Sequence, residues 1–253
     1  MKKAVNNSYN IVKRGLTPLG GTMNIQGLQK LTLLDYPGRV ACTVFLAGCN
    51  FRCPFCHNAS LVTHIRPEYS ISEEEVLTFL KKRQGVLDGV CITGGEPLLA
   101  PELERFLEKV KELGYLIKLD TNGSNVNRLK YLVNKHLVDY AAMDIKNVPD
   151  KYGLTIGIAD YNPDNILKSA EYLMSDAVPY EFRTTVVREF HKRDDFEGIG
   201  RWLKGAKRYY LQSFVDSGDV IQPGLRAYTK EILEQALEIV RKYIPAAELR
   251  GVS

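Results

Sequence analysis

The chain has 253 residues, of which 45% are hydrophobic and 25% are charged, and these proportions are ordinary for a soluble globular protein. Its net charge of +4 gives no case for nucleic-acid binding, and no apolar run approaches the ~20 residues that a membrane span requires. Five cysteines are an odd number in a chain long enough to bury a full core, so a disulfide framework is not expected. Unpaired thiols instead indicate a reducing cytoplasm.

The first 22 residues differ in composition from the rest of the chain. They carry basic side chains at Lys2, Lys3, Lys13 and Arg14, no acid, and no apolar core of signal-peptide length. The first recognisable pattern begins only after Met23. We therefore predict a disordered extension over residues 1–22 and, since no linker or internal repeat divides the remainder, a single domain over residues 23–253.

Short apolar runs alternate with amphipathic helical runs along the chain, which is the pattern of βα units and a parallel sheet. Helix start signals occur at Ser72, Pro101, Asn162 and Thr229. The six predicted strands cover residues 41–47, 89–93, 116–120, 140–145, 181–187 and 208–213. Six units are too few for a closed eight-stranded barrel, so the predicted fold class is α/β, a partial (β/α)6 TIM-like barrel with its site at the carboxyl ends of the strands.

Three cysteines follow the first predicted strand in the spacing Cys49-x3-Cys53-x2-Cys56. One compact loop with this spacing can place three thiolates on three corners of an iron–sulfur cube and leave the fourth iron open. A structural zinc site that adds His57 is the alternative, although zinc sites usually combine two short pairs across a longer loop. Cys42 and Cys91 lie inside apolar runs and are interpreted as buried core residues.

Polar motifs follow the next predicted strands as well. Gly94-Gly95-Glu96-Pro97 follows the second strand, where paired glycines allow close backbone approach to a ligand. Acidic residues at the ends of two adjacent strands would place two carboxylates beside one pocket, with turn capping or a local ion pair as the alternative reading. The charged residues at the third, fourth and fifth strand ends are Asp120, Asp144, Lys146 and Arg183.

With Phe55 before the last cysteine, the cysteine run resembles the C-x3-C-x-aromatic-C signature of the radical S-adenosylmethionine (SAM) enzymes. Further motifs resemble one glycyl-radical-enzyme activase branch, the anaerobic ribonucleoside-triphosphate reductase activating proteins. These motifs are Leu34-Asp-Tyr-Pro-Gly38, Cys56-His-Asn58, Asp120-Thr-Asn-Gly123, Asp144-Ile-Lys146 and Arg183 to Val187. The resemblance extends from about Gly27 to Gly251 and implies a barrel of the radical SAM type.

The resemblance also implies the cofactors and the chemistry. One [4Fe-4S] cluster held by Cys49, Cys53 and Cys56 would bind SAM through its open iron and split it reductively, and no catalytic side chain beyond these ligands is expected. The resulting 5′-deoxyadenosyl radical would take hydrogen from a glycine of a partner enzyme. The residues that the resemblance assigns to SAM are Phe55, Asn58, Gly94, Gly95, Glu96, Asp120, Asp144, Lys146 and Arg183, and the two aspartates would also hold a monovalent cation.

The expected partner is an anaerobic ribonucleoside-triphosphate reductase or another glycyl radical enzyme. Asp35 is a candidate for contact with the incoming glycine loop, with a plain turn residue as the alternative. No cysteine follows Cys91, so one cluster is expected and the electron would come from a flavodoxin- or ferredoxin-type donor. Two other readings stay open: a radical SAM enzyme that acts on a different protein or a small molecule, and a zinc-stabilised module without catalysis.

Overall fold

The computed structural model describes residues 23–252, so the extension predicted over residues 1–22 lies outside the described residues. One eight-stranded sheet runs through the described chain in the sequential order β1 to β8. The strands are β1 (Ile25–Thr32), β2 (Ala41–Leu46), β3 (Gly89–Gly94), β4 (Leu116–Thr121), β5 (Tyr140–Asp144), β6 (Tyr180–Val186), β7 (Tyr209–Ser213) and β8 (Ala247–Arg250).

Strand β1 pairs antiparallel with β2, and every later neighbouring pair is parallel. The helices that connect or flank the strands are α1 (Glu73–Lys81), α2 (Leu103–Glu112), α3 (Val126–Asn134), α4 (Tyr152–Ile156), α5 (Asp164–Met174), α6 (Arg193–Trp202) and α7 (Lys230–Arg241). Short 3-10 helices cover Ala59–Leu61, Pro67–Tyr69, Pro97–Leu99 and Pro149–Lys151. In the described chain the sheet ends at β1 and β8 without a ladder between them, which is the arrangement of an open partial barrel.

The α/β prediction is confirmed, and each of the six predicted strands is present with ends shifted by at most one residue. Strands β1 and β8 were not predicted. β1 has a largely half-buried or exposed pattern, and β8 has only four residues. Neither segment carries the continuous apolar run by which buried parallel strands are recognised. The single continuous sheet supports the proposal of one domain over residues 23–253.

Alternate residues of the parallel strands face two different environments. In β4, Ile117 and Leu119 join the main apolar core together with Phe106 of α2. Lys118 and Asp120, on the opposite face, are ion-paired to each other in the barrel interior. A second small core of Tyr36, Ala41, Cys91, Tyr140 and the partly buried Leu116 lies at the amino-terminal end of this interior. The interior is therefore polar towards the carboxyl ends of the strands and apolar at the opposite end.

The helices begin where local chemistry stabilises them. The Ser72 hydroxyl accepts a hydrogen bond from the Glu75 backbone N–H at 3.1 Å, as its predicted capping role requires. Thr229 is the residue before α7 but makes no side-chain cap. Cys42 and Cys91 are fully buried and free, which confirms their interpretation as core residues. No helix within residues 23–252 is long and apolar enough to cross a membrane.

The last strand is held by a buried ion pair, which provides a stability test. Arg250 donates two hydrogen bonds, of 2.8 and 3.0 Å, to Glu181, whose side chain is 1% exposed. We expect Arg250→Met to lower the free energy of unfolding by about 3 kcal/mol, because a buried carboxylate loses its cation. Denaturant unfolding of the cluster-free protein measures this change. Arg201→Met, which removes an exposed pair with Glu197, is the control and should cost less than about 1 kcal/mol; equal losses would contradict the expectation.

Candidate functional site

A cavity of about 360 Å³ lies at the carboxyl ends of the central strands. Its volume falls within the range of small-molecule sites, about 300–1,000 Å³. Most of the residues predicted as site residues line this one cavity. The predicted residues in the lining are Asp35, Cys49, Cys53, Phe55, Cys56, Asn58, Gly94, Gly95, Asp120, Asp144, Lys146 and Arg183. Among the predicted site residues Glu96 is not in the lining.

The cysteine loop follows β2 and presents three free thiols to the cavity. Cys53 is buried, and Cys49 and Cys56 are half-buried. Burial raises the pKa of Cys49 to about 11 and that of Cys53 to about 12, and it raises the pKa of Cys56 as well. A metal that binds here must therefore displace the thiol protons, as thiolate ligation always requires. His57, the candidate fourth ligand of the zinc alternative, is exposed.

Distant parts of the chain hold the cysteine loop in place. The backbone N–H of Arg52 donates to the carbonyl of Ile156 at the end of α4 at 2.9 Å. The carbonyl of Pro54 accepts from the backbone N–H of Gln222 at 2.8 Å. The conformation of the loop is thus set by backbone hydrogen bonds to two other segments, independently of any bound group.

The two glycines after β3 allow a close backbone approach to the start of the cysteine loop. A Cβ atom on Gly94, which has a φ of +118°, would lie 2.2 Å from the carbonyl oxygen of Leu46. A Cβ atom on Gly95 would lie 2.0 Å from the carbonyl oxygen of Gly48. The Gly95 N–H donates to the Leu46 carbonyl at 2.8 Å. Only glycine fits at both positions, so this motif packs the cysteine loop against β3 as well as lining the cavity.

Glu96 is placed differently from the expectation that its carboxylate faces the cavity. Its side chain is buried, and Oε1 accepts from the Leu98 N–H at 3.1 Å and from the Thr121 hydroxyl at 2.8 Å. Oε2 accepts from the Asn122 N–H at 2.6 Å. Burial raises the pKa of Glu96 to about 7, although these hydrogen bonds act to lower it. The carboxylate is turned inward because it caps the short helix that begins at Pro97 and ties the end of β4 to it.

Five charged side chains form a continuous series across β4, β5 and β6, which we call the charge ladder: Lys118, Asp120, Arg183, Asp144 and Lys146. Lys118 is paired with Asp120 Oδ1, and Arg183 Nη1 donates to Asp120 Oδ2 at 3.1 Å. Arg183 Nη2 also lies 2.9 Å from Asp144 Oδ1, and Lys146 Nζ lies 3.0 Å from Asp144 Oδ2. Each of the four carboxylate oxygens therefore has a side-chain cation.

The charge ladder keeps its members ionised. Burial alone would raise the pKa of Asp120, but Arg183 and Lys118 hold it below its ordinary value. Arg183 and Lys146 likewise hold the pKa of Asp144 below its ordinary range against the effect of burial. The same carboxylates raise the pKa of Lys146 and of Arg183, again against burial. Three cations and two anions leave the charge ladder itself with one excess positive charge.

Phe55 and Asn58 complete the cysteine-loop side of the cavity. Phe55 is 3% exposed, and the Lys146 ammonium lies 6.0 Å from its ring centroid, a cation–π distance. Asn58 Nδ2 donates to the Gly94 carbonyl at 3.4 Å, which links the cysteine loop to the glycine motif. The cavity thus has thiols and an aromatic ring on one side and fixed charges on the other.

Asp35 reaches the same cavity from the turn between β1 and β2. Its Oδ2 accepts a hydrogen bond from the Thr43 hydroxyl at 2.6 Å, and its backbone N–H donates to the Thr32 hydroxyl at 3.2 Å. Asp35 is therefore a turn residue whose carboxylate also lines the cavity, so the two sequence-based readings are compatible. Its contact with a partner stays a prediction.

Sequence reasoning missed His191, which is fully buried behind Lys146. Its Nδ1 accepts from the Val187 N–H at 3.1 Å, which leaves Nε2–H to donate to the Lys146 carbonyl at 2.8 Å. The signal was available, because His191 follows the fifth predicted strand as the other polar motifs follow theirs. Lys118 and Asn122 were also missed, and Asn122 Nδ2 lies 3.8 Å from Cys49 Sγ.

Comparison with known proteins is consistent with this geometry. The model of the radical SAM superfamily matches residues 43–203. The chain is 30% identical over 241 residues, 90% of its own length and 96% of the relative's, to a Methanocaldococcus jannaschii protein provisionally named glycyl-radical enzyme activating enzyme. It is 33% identical over 153 residues, 58% of its own length and 63% of the relative's, to the pyruvate formate-lyase-activating enzyme of Clostridium pasteurianum.

Solved structures share the fold at low sequence identity. The Streptococcus suis SuiB structure bound to S-adenosylmethionine superposes with a TM-score of 0.64 at 15% identity, over 81% of this chain and 48% of that one. This chain thus spans about half the length of SuiB. A domain of a pyruvate-formate lyase-activating enzyme from Bacteroides vulgatus superposes with a TM-score of 0.52 at 21% identity, over 64% of this chain and 99% of that one.

The packing role of the glycine motif can be tested with two matched substitutions. Gly94→Ala should cost about 3 kcal/mol and greatly reduce bound iron, because the added methyl group meets the β2 backbone. Gly114→Ala is the control: Gly114 also has a positive φ, of +86°, but open space around its Cβ position, so about 1 kcal/mol is expected with full iron content. Iron and sulfide analysis after anaerobic reconstitution, with thermal unfolding, measures both effects. Equal iron contents would show that the close approach is dispensable.

His191 predicts a pH dependence of stability. Burial lowers the pKa of His191 below its ordinary value of 6.5, so the unfolded chain binds a proton that the folded chain resists. Its contribution to stability is therefore present above pH 6.5 and is lost as the pH falls below that value. His191→Gln should flatten the fall in unfolding free energy between about pH 6.5 and pH 5. The exposed His64→Gln should keep the wild-type slope, and identical slopes in the two variants would contradict the assignment.

Proposed function

This chain belongs to the radical SAM superfamily, in its branch of glycyl-radical-enzyme activating enzymes, and we propose that the glycyl radical enzyme on which it acts is an anaerobic ribonucleoside-triphosphate reductase. The match to the superfamily model and the 30% identity with the M. jannaschii protein establish the branch. Enzymes of this family carry a [4Fe-4S] cluster with three cysteine ligands and use SAM. The identity of the partner enzyme and the roles of individual residues are our proposals.

The observation that carries the residue assignment is the single cavity shared by the cysteine loop, the charge ladder and Asp35. Its donor set has the chemistry that the cofactors of the family need: three free thiols, fixed cations and backbone groups of a glycine motif line one cavity. We assign Cys49, Cys53 and Cys56 to the cluster. Zinc without iron and sulfide in the purified protein would defeat this assignment.

When bound, the reduced cluster supplies the electron that splits SAM into methionine and a 5′-deoxyadenosyl radical. The protein's own residues bind and orient the substrate. Lys146 and Arg183 present fixed positive charge to the carboxylate of SAM, and Gly94 and Gly95 expose backbone acceptors to its ammonium group. Phe55 and Cys53, both buried, exclude water from one side of the cavity.

The reductase is favoured as the partner by the motifs that resemble this branch, above all Leu34-Asp-Tyr-Pro-Gly38 with Asp35 in the cavity. We assign Asp35 the role of accepting a backbone N–H of an incoming glycine loop. A glycine suits the reaction because, without a side chain, it enters a crowded site. Since no cysteine follows Cys91, the chain needs an external electron donor of the flavodoxin or ferredoxin type, and a reducing cytoplasm is the compartment in which both occur.

Pyruvate formate-lyase is the second candidate partner. It is favoured by the relatives named as its activating enzymes, from C. pasteurianum and from Staphylococcus aureus, the latter 28% identical over 193 residues. Against it, the segment at the end of β7 reads Leu211-Gln-Ser-Phe214, without the histidine that some activases place there.

Electron spin resonance separates the candidates. The reconstituted protein, reduced in the presence of SAM, should produce a glycyl radical doublet on an anaerobic ribonucleotide reductase from the same cell. Pyruvate formate-lyase, treated identically, should stay silent. Cys53→Ala, which cannot complete the cluster, is the negative control on both partners. Cleavage of SAM with a silent reductase would sink the proposed partner while leaving the radical SAM activity intact.

Asp35→Asn tests the docking role within the same assay. We expect radical yield on the reductase to fall about tenfold, because the neutral amide oxygen of Asn accepts a hydrogen bond more weakly than the carboxylate that it replaces. Binding of SAM should be unchanged, because the carboxylate of Asp35 is held by Thr43 of β2, two strands away from the first strand of the charge ladder. Equal loss of SAM binding would assign Asp35 to the cofactor instead.

A further inference from the structure

Lys118 is a buried cation that the proposed function does not use. It lies in the middle of β4, its side chain is 1% exposed, and it faces the barrel interior between Cys91 of β3 and Tyr140 of β5. It is not part of the cavity lining, where Asp120 of the next interior layer is found. Burying an ammonium group costs several kcal/mol of desolvation free energy unless a partner compensates. The position of Lys118 therefore lowers folding stability unless its charge is paired.

The partner of Lys118 is Asp120, the first carboxylate of the charge ladder. Two residues apart on one strand, their side chains point to the same face, and the ammonium contacts Oδ1 directly. Arg183 Nη1 donates a hydrogen bond to Oδ2 of the same carboxylate at 3.1 Å. Both carboxylate oxygens of Asp144 also have a cationic partner. Arg183 donates a hydrogen bond to Oδ1, and Lys146 donates one to Oδ2.

This arrangement of paired charges does not fit the monovalent cation that the family resemblance places on Asp120 and Asp144. An alkali-metal ion binds through several oxygen ligands, and here each of the four carboxylate oxygens already accepts from a side-chain cation. The ladder also has an excess of one positive charge, which repels a further cation at short range. A metal ion would have to compete with these fixed cations for the remaining lone pairs of the same oxygens.

We propose that Lys118 is a built-in cation of the SAM site: a positioning residue whose ammonium holds Asp120 and, through it, Arg183 and Asp144, so that SAM binding requires no monovalent metal ion. Without Lys118 the ladder has two cations and two anions, and Arg183 is drawn towards the vacated Asp120 oxygen. The ladder then loses its excess positive charge and the site loses the fixed guanidinium, both of which favour the carboxylate of SAM. This inference rests on the assignment of the ladder to SAM under the proposed function.

The test measures SAM affinity of the cluster-loaded enzyme by calorimetry under anaerobic conditions, in potassium, sodium or choline chloride at one ionic strength of about 100 mM. Wild-type affinity should change less than about twofold among the three salts. A wild-type enzyme that binds SAM much better in potassium than in choline would overturn the inference without any variant.

Two substitutions of Lys118 separate its charge from its volume. Lys118→Ala leaves space, and we expect about tenfold weaker SAM binding in choline that potassium or ammonium ions restore. Lys118→Met fills the same space without charge, and we expect equally weak binding in every salt. The paired variants thus distinguish a lost cation from a lost packing contact, and Lys130→Met, at an exposed lysine of α3, should behave as wild type.

Two further outcomes would overturn the inference. Lys118→Ala with wild-type affinity in choline would show that the ammonium is dispensable, and potassium rescue of Lys118→Met to the same degree would place the potassium effect elsewhere. Should Lys118→Ala fail to fold, the wild-type salt series and Lys118→Met still decide. No partner enzyme enters the measurement, so a silent reductase would not affect this result, and a failed salt series would not affect the reductase proposal.

Discussion

The site depends on one constraint: a parallel strand buried on both faces must place its alternate polar side chains in the barrel interior, and there each charge needs a partner. β4 shows the constraint most clearly, since Ile117 and Leu119 pack under the helices while Lys118 and Asp120 face inward as an ion pair. The charge ladder extends this pairing across β5 and β6. The electrostatics of the cavity are thus a consequence of how the sheet is buried, and they exist before any cofactor binds.

A second, purely steric contact couples this charged edge to the cysteine loop. Gly94 and Gly95 bring the end of β3 against Leu46 and Gly48 at a distance that no side chain would allow. Glu96 then turns inward and accepts hydrogen bonds from the end of β4. The cysteine loop, β3 and β4 are therefore joined by direct contacts, which set the position of the thiols relative to the charge ladder across the cavity.

Particular residues show which parts of this arrangement a sequence can reveal. The six central strands are short and largely apolar runs, and the motifs that follow β2 to β5 reach the same cavity because carboxyl ends of parallel strands share one edge. β1 and β8 lack that signal, since a half-exposed antiparallel edge strand and a four-residue strand bury too little to require it. Lys118 and Glu96 show a different limit. The sequence does not show where the side chain of a lysine inside a predicted strand points, or that of a glutamate in a glycine motif. The strand register decides the first and the local turn decides the second.

A tethered ammonium and a diffusible metal ion meet the same electrostatic need in different ways. A diffusible ion must be bound from solution at each occupancy, so its effect follows mass action and the salt composition of the cell. The ammonium of Lys118 is desolvated and ordered once, when β4 folds, and is afterwards present at every SAM-binding event. The desolvation of Lys118 lowers folding stability, and the ion pair with Asp120 offsets that loss. Under the proposed role, the SAM site receives a positive charge whose presence does not depend on the salt in solution. Binding is then less adjustable by salt, and the conformation of Arg183 is fixed by the protein alone.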